Sequence, residues 1–289
     1  MGIINCKELA SLLKEHVRQT VETFDRKPRL DIFTYELDVP SAVYVKNKVK
    51  ACEEAGIQCV VHKLKASADT KELWNFRDEL RALSWSGETD GIIVQKPLPS
   101  LVDCTEWETE IFPAVDVDAC TPQSIVDLWK DEPLAFIPAT TRGIYELLLH
   151  LHDKEFYEGK HCVVIGRSEL VGMPTALVCM NKLDMTITVC HSFTTNLSSY
   201  TKDADVLVSA VGQPMLITPD MVKPGSIVLD VGISRFDGKL CGDVCTHGIA
   251  KIADVTPVPG GMGLMTVACL LQNIVQAYKT NEEMPCPML

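Results

Sequence analysis

Short β-rich runs recur about every 20 residues in the second half of the chain, and this spacing constrains the fold more than any other feature. The runs lie at 162–166, 186–190, 205–211 and 226–230. Each is followed by turn or helix signals. Because strands that alternate with crossover helices build parallel sheets, the pattern predicts a dinucleotide-binding α/β unit of the Rossmann type.

The first half of the chain alternates in the same way. Apolar strands are predicted at 30–35, 59–62 and 91–94, and helices at 7–23, 41–55, 70–83, about 143–152 and 264–279. A stretch containing prolines, 131–141, separates the halves. The sequence therefore predicts an α/β protein of two domains with a cleft between them. The predicted domains are residues 1–140 with the C-terminal helix at about 265–289, and the nucleotide-binding residues 141–264.

Composition limits the partners and the compartment. The net charge of −12 disfavours nucleic acid and anionic membranes, because both repel an acidic protein. No apolar run reaches the ~18 residues of a membrane span. The 12 cysteines include no CxxC pair, and no targeting segment is evident. These features predict reduced thiols in the cytoplasm, rather than a disulfide framework or a metal site.

A glycine-containing loop, Gly166-Arg167-Ser168-Glu169-Leu170-Val171-Gly172, directly follows the run at 162–166. Glycine lets the backbone turn sharply and approach a phosphate, and the helix after it offers free N–H groups. The predicted site uses Gly166, Ser168, Val171 and Gly172. The alternative is a tight turn that binds no ligand.

The next strand indicates which nucleotide would bind. Enzymes that use NAD place a carboxylate near its end to bond the ribose hydroxyls, whereas this strand ends in His191-Ser192. Arg167 supplies a cation and Ser192 a hydroxyl donor for a 2′-phosphate. The pattern favours NADP; the alternative is a solvated arginine and a loop histidine. Gly212, Gly232 and Ile233 follow the later strands and are predicted to flank the nicotinamide ribose.

Polar clusters in the first half indicate a second site. Tyr44 and Lys48 are four residues apart and share one helix face, although an ordinary surface helix would look the same. Gln95 ends a buried strand, and the segment 116–118 reads Asp-Val-Asp. The loop at 256–263 is rich in proline and glycine, which lets a ligand approach the backbone.

Taken in order, the stretches SAVYVKNK, GIIVQKPLP, DVDA, GRSELVG, CHSFTTNL, DVGI and TPVPGGMG resemble the bifunctional methylenetetrahydrofolate dehydrogenase/cyclohydrolases. The resemblance covers residues 41–275. It implies oxidation of 5,10-methylenetetrahydrofolate with NADP, and hydrolysis of the methenyl product to 10-formyltetrahydrofolate. It also implies a homodimer formed through the nucleotide-binding domains and no metal requirement.

The resemblance implies roles for individual residues. Lys48 corresponds to an essential lysine, Gln95 to its hydrogen-bonding partner, Tyr44 to a ring that stacks on the aminobenzoyl group, and Asp118 to a carboxylate that binds the pterin. Further substrate contacts are implied at Val94, Lys96, Pro259, Gly260, Gly261 and Gly263. The implied cofactor contacts are Gly166, Arg167, Ser168, Val171, Gly172, His191, Ser192, Gly212, Gly232 and Ile233.

The chain departs from the family pattern at several positions. They are Lys96, Ala119, Ala139, Glu169, Leu170 and Leu264. None removes a candidate catalytic group, so activity is expected to survive. Our hypothesis for Lys96 is that it helps to hold an anionic folate tail; a solvated lysine at the rim is the alternative.

Three other functions fit parts of the sequence. They are a monofunctional dehydrogenase, another NADP oxidoreductase on the same scaffold, and a non-catalytic nucleotide-binding regulator. Lys48 argues against the first, the presence of both Lys48 and Gln95 argues against the third, and the ordered motifs of the first half argue against the second. A chain of 289 residues has no room for a fused formyltetrahydrofolate synthetase domain.

Overall fold

The computed structural model describes residues 1–36, 39–98 and 107–283. Within them the chain forms two compact units, one of residues 12–139 and 267–289 and the other of residues 1–11 and 140–266. Residue 99 of the GIIVQKPLP stretch and residues 284–289 of the predicted C-terminal helix lie outside the described residues. The α/β class predicted from the sequence is confirmed.

All five helices predicted with bounds are present, and the described residues contain four more. They are α1 (Cys6–Val21), α2 (Val39–Glu54), α3 (Thr70–Ser84), α4 (Pro122–Trp129), α5 (Ala139–Leu151), α6 (Gly172–Leu183), α7 (Ser198–Thr201), α8 (Thr246–Ile249) and α9 (Met262–Glu283). Helix α3 begins with a capping box, in which Asp69 accepts from the Glu72 amide and Glu72 accepts from the Asp69 amide. Among the described residues, no helix has both the length and the apolar character required to cross a membrane.

The seven predicted β-rich runs are present as strands, and the described residues contain four further short strands. They are β1 (Gly2–Ile3), β2 (Arg29–Tyr35), β3 (Gln58–Leu64), β4 (Gly91–Gln95), β5 (His161–Ile165), β6 (Thr186–Cys190), β7 (Val206–Ser209), β8 (Ile227–Asp230), β9 (Ser234–Phe236), β10 (Lys239–Cys241) and β11 (Asp254–Val255).

The unit of residues 12–139 and 267–289 contains a parallel three-stranded sheet in the order β3-β2-β4. Side chains alternate between its faces. Ile32 packs in one core with residues of α2 and α9, and Phe33 packs in the other with residues of α3. Both faces are covered, and β4 is accordingly apolar up to Gln95, whereas β2 and β3 also carry polar residues such as Asp31 and His62.

The other unit contains a parallel six-stranded sheet in the order β1-β11-β8-β7-β5-β6. Its register aligns the carboxyl ends of four strands, because Cys190, Ile165, Ser209 and Asp230 are successive partners. The loops that follow these residues therefore begin along one edge of the sheet, where ligands bind in folds of this kind.

The assignment of the first residues to domain 1–140 needs correction. Gly2 and Ile3 pair with Asp254 and Val255 at the edge of the six-stranded sheet, which places residues 1–11 in the unit that contains this sheet. A two-residue strand has no detectable period, so the sequence gives no sign of this pairing.

Candidate active site

Lys48 and Gln95 are brought together, as their predicted pairing requires. Lys48 is half-buried on α2, and its Nζ donates to Oε1 of Gln95 at the end of β4 over 3.2 Å. Tyr44 precedes Lys48 by one helical turn and is 47% exposed, which leaves its ring available to a ligand.

The neighbouring backbone orients the Gln95 amide. Its Nε2 donates to the carbonyl oxygen of Lys96 over 3.1 Å. Because Nε2 is engaged there, Oε1 faces Nζ of Lys48 and can only accept. Gln95 can thus orient Lys48 but cannot act as a base.

The charge of Lys96 is balanced within the same unit. Its Nζ lies 2.6 Å from Oε1 of Glu108, whose side chain is only 7% exposed. These residues are twelve positions apart, and no sequence pattern predicts that they pair. Val94, another predicted substrate contact, is buried in the core beside Phe33.

A buried turn supports Asp118. Asp116 is fully buried and accepts hydrogen bonds from the amides of Cys120 and Thr121 and from the Ser124 hydroxyl. Asp118 itself is half-buried. Ala119 has a φ of 53°, in the left-handed region that favours glycine. Ala119 is one of the departures from the family pattern, where it replaces a glycine, and a glycine would adopt this φ without strain.

The loop after β5 is tightly folded. Gly166 has a φ of 115°, and a Cβ placed there would lie 2.6 Å from the Ala210 carbonyl oxygen. A Cβ on Gly172 would lie 2.3 Å from the Gly166 carbonyl oxygen. Ser168 Oγ accepts from the Gly172 amide at the start of α6 over 3.2 Å. Both glycines are therefore required by the turn itself, and the α6 N-terminus lies beside it.

The predicted determinants of NADP preference follow adjacent strands. Arg167 and Ser192 are both exposed, after β5 and β6 respectively. His191 is half-buried; its Nδ1 accepts from the Phe193 amide over 3.2 Å, and its own amide donates to Thr194 Oγ1 over 2.9 Å. The histidine thus shapes the loop that presents Ser192.

Two buried aspartates lie beside the loops that carry Gly212, Gly232 and Ile233. Asp230 ends β8, and Asp243 follows β10; both are fully buried. Burial raises the pKa of Asp230 to about 7, although the amides of Asp243 and Val244 donate to its carboxylate. Neither aspartate was among the predicted site residues, because a carboxylate that bonds to backbone has no sequence signature.

The loop from Thr256 to Gly263 is shaped by its prolines and glycines. The Val258–Pro259 peptide bond is cis, and Gly260 has a φ of 97°. A Cβ on Gly261 would lie 2.2 Å from the Pro257 carbonyl oxygen, whereas one on Gly263 would meet nothing within 4 Å. Gly260 and Gly263 thus leave open space beside the backbone, which is what a closely approaching ligand needs.

Two family models match the chain in succession. The model described as tetrahydrofolate dehydrogenase/cyclohydrolase, catalytic domain, matches residues 4–118. The model described as tetrahydrofolate dehydrogenase/cyclohydrolase, NAD(P)-binding domain, matches residues 138–282.

Individual relatives are similar over nearly their full length. The bifunctional protein FolD of Hydrogenobaculum sp. is 41% identical over 281 residues, which are 96% of this chain and 99% of that protein. The crystal structure of FolD from Campylobacter jejuni is 36% identical, with a TM-score of 0.89 over 96% of this chain and 98% of the other. FolD from Trypanosoma brucei, solved with NADP and an inhibitor, is 30% identical, with a TM-score of 0.87 over 97% and 98%.

Proposed function

The chain belongs to the tetrahydrofolate dehydrogenase/cyclohydrolase family, and we propose that it catalyses both reactions of that family in one-carbon folate metabolism. The first is oxidation of 5,10-methylenetetrahydrofolate to the methenyl form with NADP. The second is hydrolysis of the methenyl form to 10-formyltetrahydrofolate. The hydrogen bond between Lys48 and Gln95 is the observation that carries the proposal, because it unites the two side chains that the second reaction needs.

The nucleotide loop fits NADP. Gly166 and Gly172 allow the backbone to approach a phosphate, and Arg167 with Ser192 offers a cation and a hydroxyl to a 2′-phosphate. We assign the other cofactor contacts to Ser168, Val171, His191, Gly212, Gly232 and Ile233. NADP, when bound, supplies the hydride acceptor.

The folate contacts are proposed on exposure and chemistry. The exposed ring of Tyr44 offers a stacking surface for the aminobenzoyl group, and Asp118 offers a carboxylate to the N–H groups of the pterin. Lys96 and the loop Pro259–Gly263 complete the proposed substrate contacts. Val94 contributes as part of the buried strand that holds Gln95.

Lys48 serves the hydrolytic step. Water adds to the methenyl carbon and loses one proton, which leaves a hydroxyl group on that carbon. The C–N bond to the ring nitrogen N5 then breaks as the hydroxyl proton is lost and N5 gains a proton, so that the formyl group stays on N10 and one proton is released overall. A lysine amine near the reacting carbon can accept the proton from water and return it to the leaving nitrogen. Gln95 holds the Lys48 Nζ in place by accepting one of its hydrogen bonds.

A homodimer and a cytoplasmic location complete the proposal. The β9–β10 hairpin leaves Phe236 59% exposed and Leu240 40% exposed, and an apolar surface of this kind favours association with a second copy. Buried free thiols at Cys52, Cys162 and Cys179 support a reducing compartment.

The two activities are tested with separate substrates. Methylenetetrahydrofolate with NADP or NAD reports the dehydrogenase by nicotinamide absorbance. Methenyltetrahydrofolate alone reports the cyclohydrolase by decay of its own absorbance. We expect reduction with NADP, and methenyl decay well above the buffer rate. If nicotinamide is reduced but methenyltetrahydrofolate decays only at the buffer rate, the chain is a monofunctional dehydrogenase.

A matched pair of lysine variants locates the hydrolytic group. Lys48→Met should lower methenyl hydrolysis by about 100-fold or more, since it removes the proton-transferring group. Lys50→Met is the control, because Lys50 lies on the same helix but is 72% exposed and pairs with Glu54. Equal rates for the two variants would remove Lys48 from the mechanism.

A further inference from the structure

A single buried carboxylate contacts both loops that flank the proposed nicotinamide position. Oδ2 of Asp243 accepts from the Val211 amide and from the Ser209 hydroxyl, each over 2.9 Å. Ser209 ends β7, and Val211 begins the loop that carries Gly212. This oxygen therefore fixes the start of the first loop.

The other oxygen of Asp243 faces the second loop. A Cβ built on Gly232 would lie 2.0 Å from Oδ1, so only glycine fits against the carboxylate. Oδ1 is buried, and it has no hydrogen-bond partner among the described residues. A buried acceptor without a protein donor costs free energy, so its presence in a native structure requires a specific reason.

The Asp230 carboxylate binds the backbone at Asp243. Its two carboxylate oxygens accept from the amides of Asp243 and Val244 over 2.9 and 3.0 Å. A Cβ on Gly242 would lie 1.9 Å from Oδ2 of Asp230. The backbone of Asp243 is therefore fixed by one buried acid, while its side chain fixes the two loops.

We infer that Asp243 is a positioning residue that sets the spacing between the Val211–Gly212 and Gly232–Ile233 loops and so holds the nicotinamide end of the cofactor. This inference rests on the proposed assignment of those loops to the cofactor. Asp243 is buried and acts through the two loops, while the adenine end is held by the loops after β5 and β6. Removal of the Asp243 carboxylate should therefore weaken binding of the nicotinamide end of the cofactor and leave binding of the adenine end unchanged.

Two nucleotide probes test the inference by equilibrium binding, followed by the fluorescence of reduced NADP and by calorimetry. Reduced NADP contacts both ends of the site, whereas adenosine 2′,5′-bisphosphate contacts the adenine end alone. Asp243→Ala should raise the Kd for reduced NADP about 10-fold, which corresponds to a loss of about 1.4 kcal/mol of binding free energy. The Kd for adenosine 2′,5′-bisphosphate should change less than twofold. Asp203→Ala, at an exposed aspartate of the same unit, should change neither value.

The conservative variant separates positioning from bulk stability. Asp243→Asn keeps an oxygen that can accept from Val211, so it should restore most of the affinity for reduced NADP. If Asp243→Ala does not fold, Ser209→Ala removes one of the two donors to the same oxygen, and it should raise the Kd for reduced NADP two- to threefold without affecting the bisphosphate.

Unchanged affinity for reduced NADP in folded Asp243→Ala would overturn the inference. An equal loss of affinity for both probes would also overturn the inference, since it would show that Asp243 has a general structural role. Neither readout uses the folate reaction. Nucleotide binding by a wild-type protein that fails to oxidise methylenetetrahydrofolate would refute the proposed function while leaving the Asp243 test intact.

Discussion

The Nζ of Lys48 donates to Oε1 of Gln95 over 3.2 Å, while Nε2 of the same amide is bound to the Lys96 carbonyl oxygen. Gln95→Leu removes the acceptor and frees the lysine, so methenyl hydrolysis should fall by about 10- to 100-fold. The rate is measured with methenyltetrahydrofolate alone. Gln58→Leu, at an exposed glutamine of the same sheet, is the control. A rate within twofold of wild type for Gln95→Leu would show that the contact has no catalytic role.

Preference for NADP should depend on Arg167. Loss of a charge-assisted contact to the 2′-phosphate costs about 1.5–3 kcal/mol, so Arg167→Leu should raise the KM for NADP by about 10- to 100-fold. The KM for NAD, which lacks that phosphate, should stay within twofold. Arg235→Leu serves as the control, since Arg235 is an exposed arginine of the same unit. Equal effects on both nucleotides would assign Arg167 a general role in binding.

Lys96 has a structural partner that the sequence did not reveal. Lys96→Leu leaves the buried Glu108 carboxylate without this ion pair, and the free energy of unfolding should fall by about 2 kcal/mol. Adding Glu108→Gln removes the buried charge and should recover part of the loss in a urea titration.

The same two variants test the proposed folate contact of Lys96. If Lys96 also holds an anionic folate tail, the KM for polyglutamylated substrate should rise in the single and in the double variant alike. A KM equal to that of wild type in both would confine Lys96 to its pair with Glu108.

Ala119 adopts a backbone conformation that suits glycine better. A φ of 53° costs an L-residue about 1–2 kcal/mol. Glycine avoids this cost, but its more flexible unfolded chain offsets part of the gain in stability. Ala119 is also only 2% exposed, so Ala119→Gly removes a buried methyl group as well as the strain, and the free energy of unfolding should change by less than about 0.5 kcal/mol. Ala51→Gly, at a similarly buried alanine within α2, relieves no strain and should lower it by about 1 kcal/mol or more. An equal loss of stability in both variants would contradict the explanation.

His62 links stability to pH. Its two ring nitrogens each lie 2.8 Å from a carboxylate, one from Asp31 and the other from Glu79, and the hydrogen bond to Asp31 is the main reason that the pKa of His62 is raised. Arg29 also pairs with Asp31, and it remains charged throughout. Because the folded pKa exceeds the unfolded value of 6.5, the stabilisation is complete below pH 6.5 and is lost as pH rises through the folded pKa.

The change that tests this link is His62→Gln. It should cost at least about 1 kcal/mol more free energy of unfolding near pH 5.5 than near pH 8.5. His247→Gln, at an exposed histidine, should show no such difference in denaturant titrations at the two pH values. A cost for His62→Gln that is independent of pH would rule out a charged His62 in the folded protein.

The elements that recur at regular spacing were predicted from the sequence, whereas short elements without a period were missed. Strands such as β5 and β6 show as apolar runs at regular spacing, and their parallel order follows from the helices between them. The two-residue strand β1 carries no period, so its place in the six-stranded sheet could not be foreseen.

Some residues of the candidate sites were predicted from the sequence, and others were found only in the structure. Gln95 stands out because it ends a buried strand, and Lys48 because it shares a helix face with Tyr44 in a stretch that resembles the family. The ion pair of Lys96 with Glu108, in contrast, has no sequence signal at a separation of twelve residues. Asp243 was missed because its partners, Val211 and Gly232, are backbone contacts that any sequence offers. The strain at Ala119 becomes visible only once φ is known.

The most direct test of the central claim follows both reactions in one mixture. The purified protein is incubated with methylenetetrahydrofolate and NADP, and reduced NADP, methenyltetrahydrofolate and 10-formyltetrahydrofolate are quantified over time. Two activities in one chain predict equal final amounts of reduced NADP and 10-formyltetrahydrofolate, with the methenyl form cleared faster than in buffer. No reduction of NADP, or a methenyl form that accumulates and decays only at the buffer rate, would contradict the account.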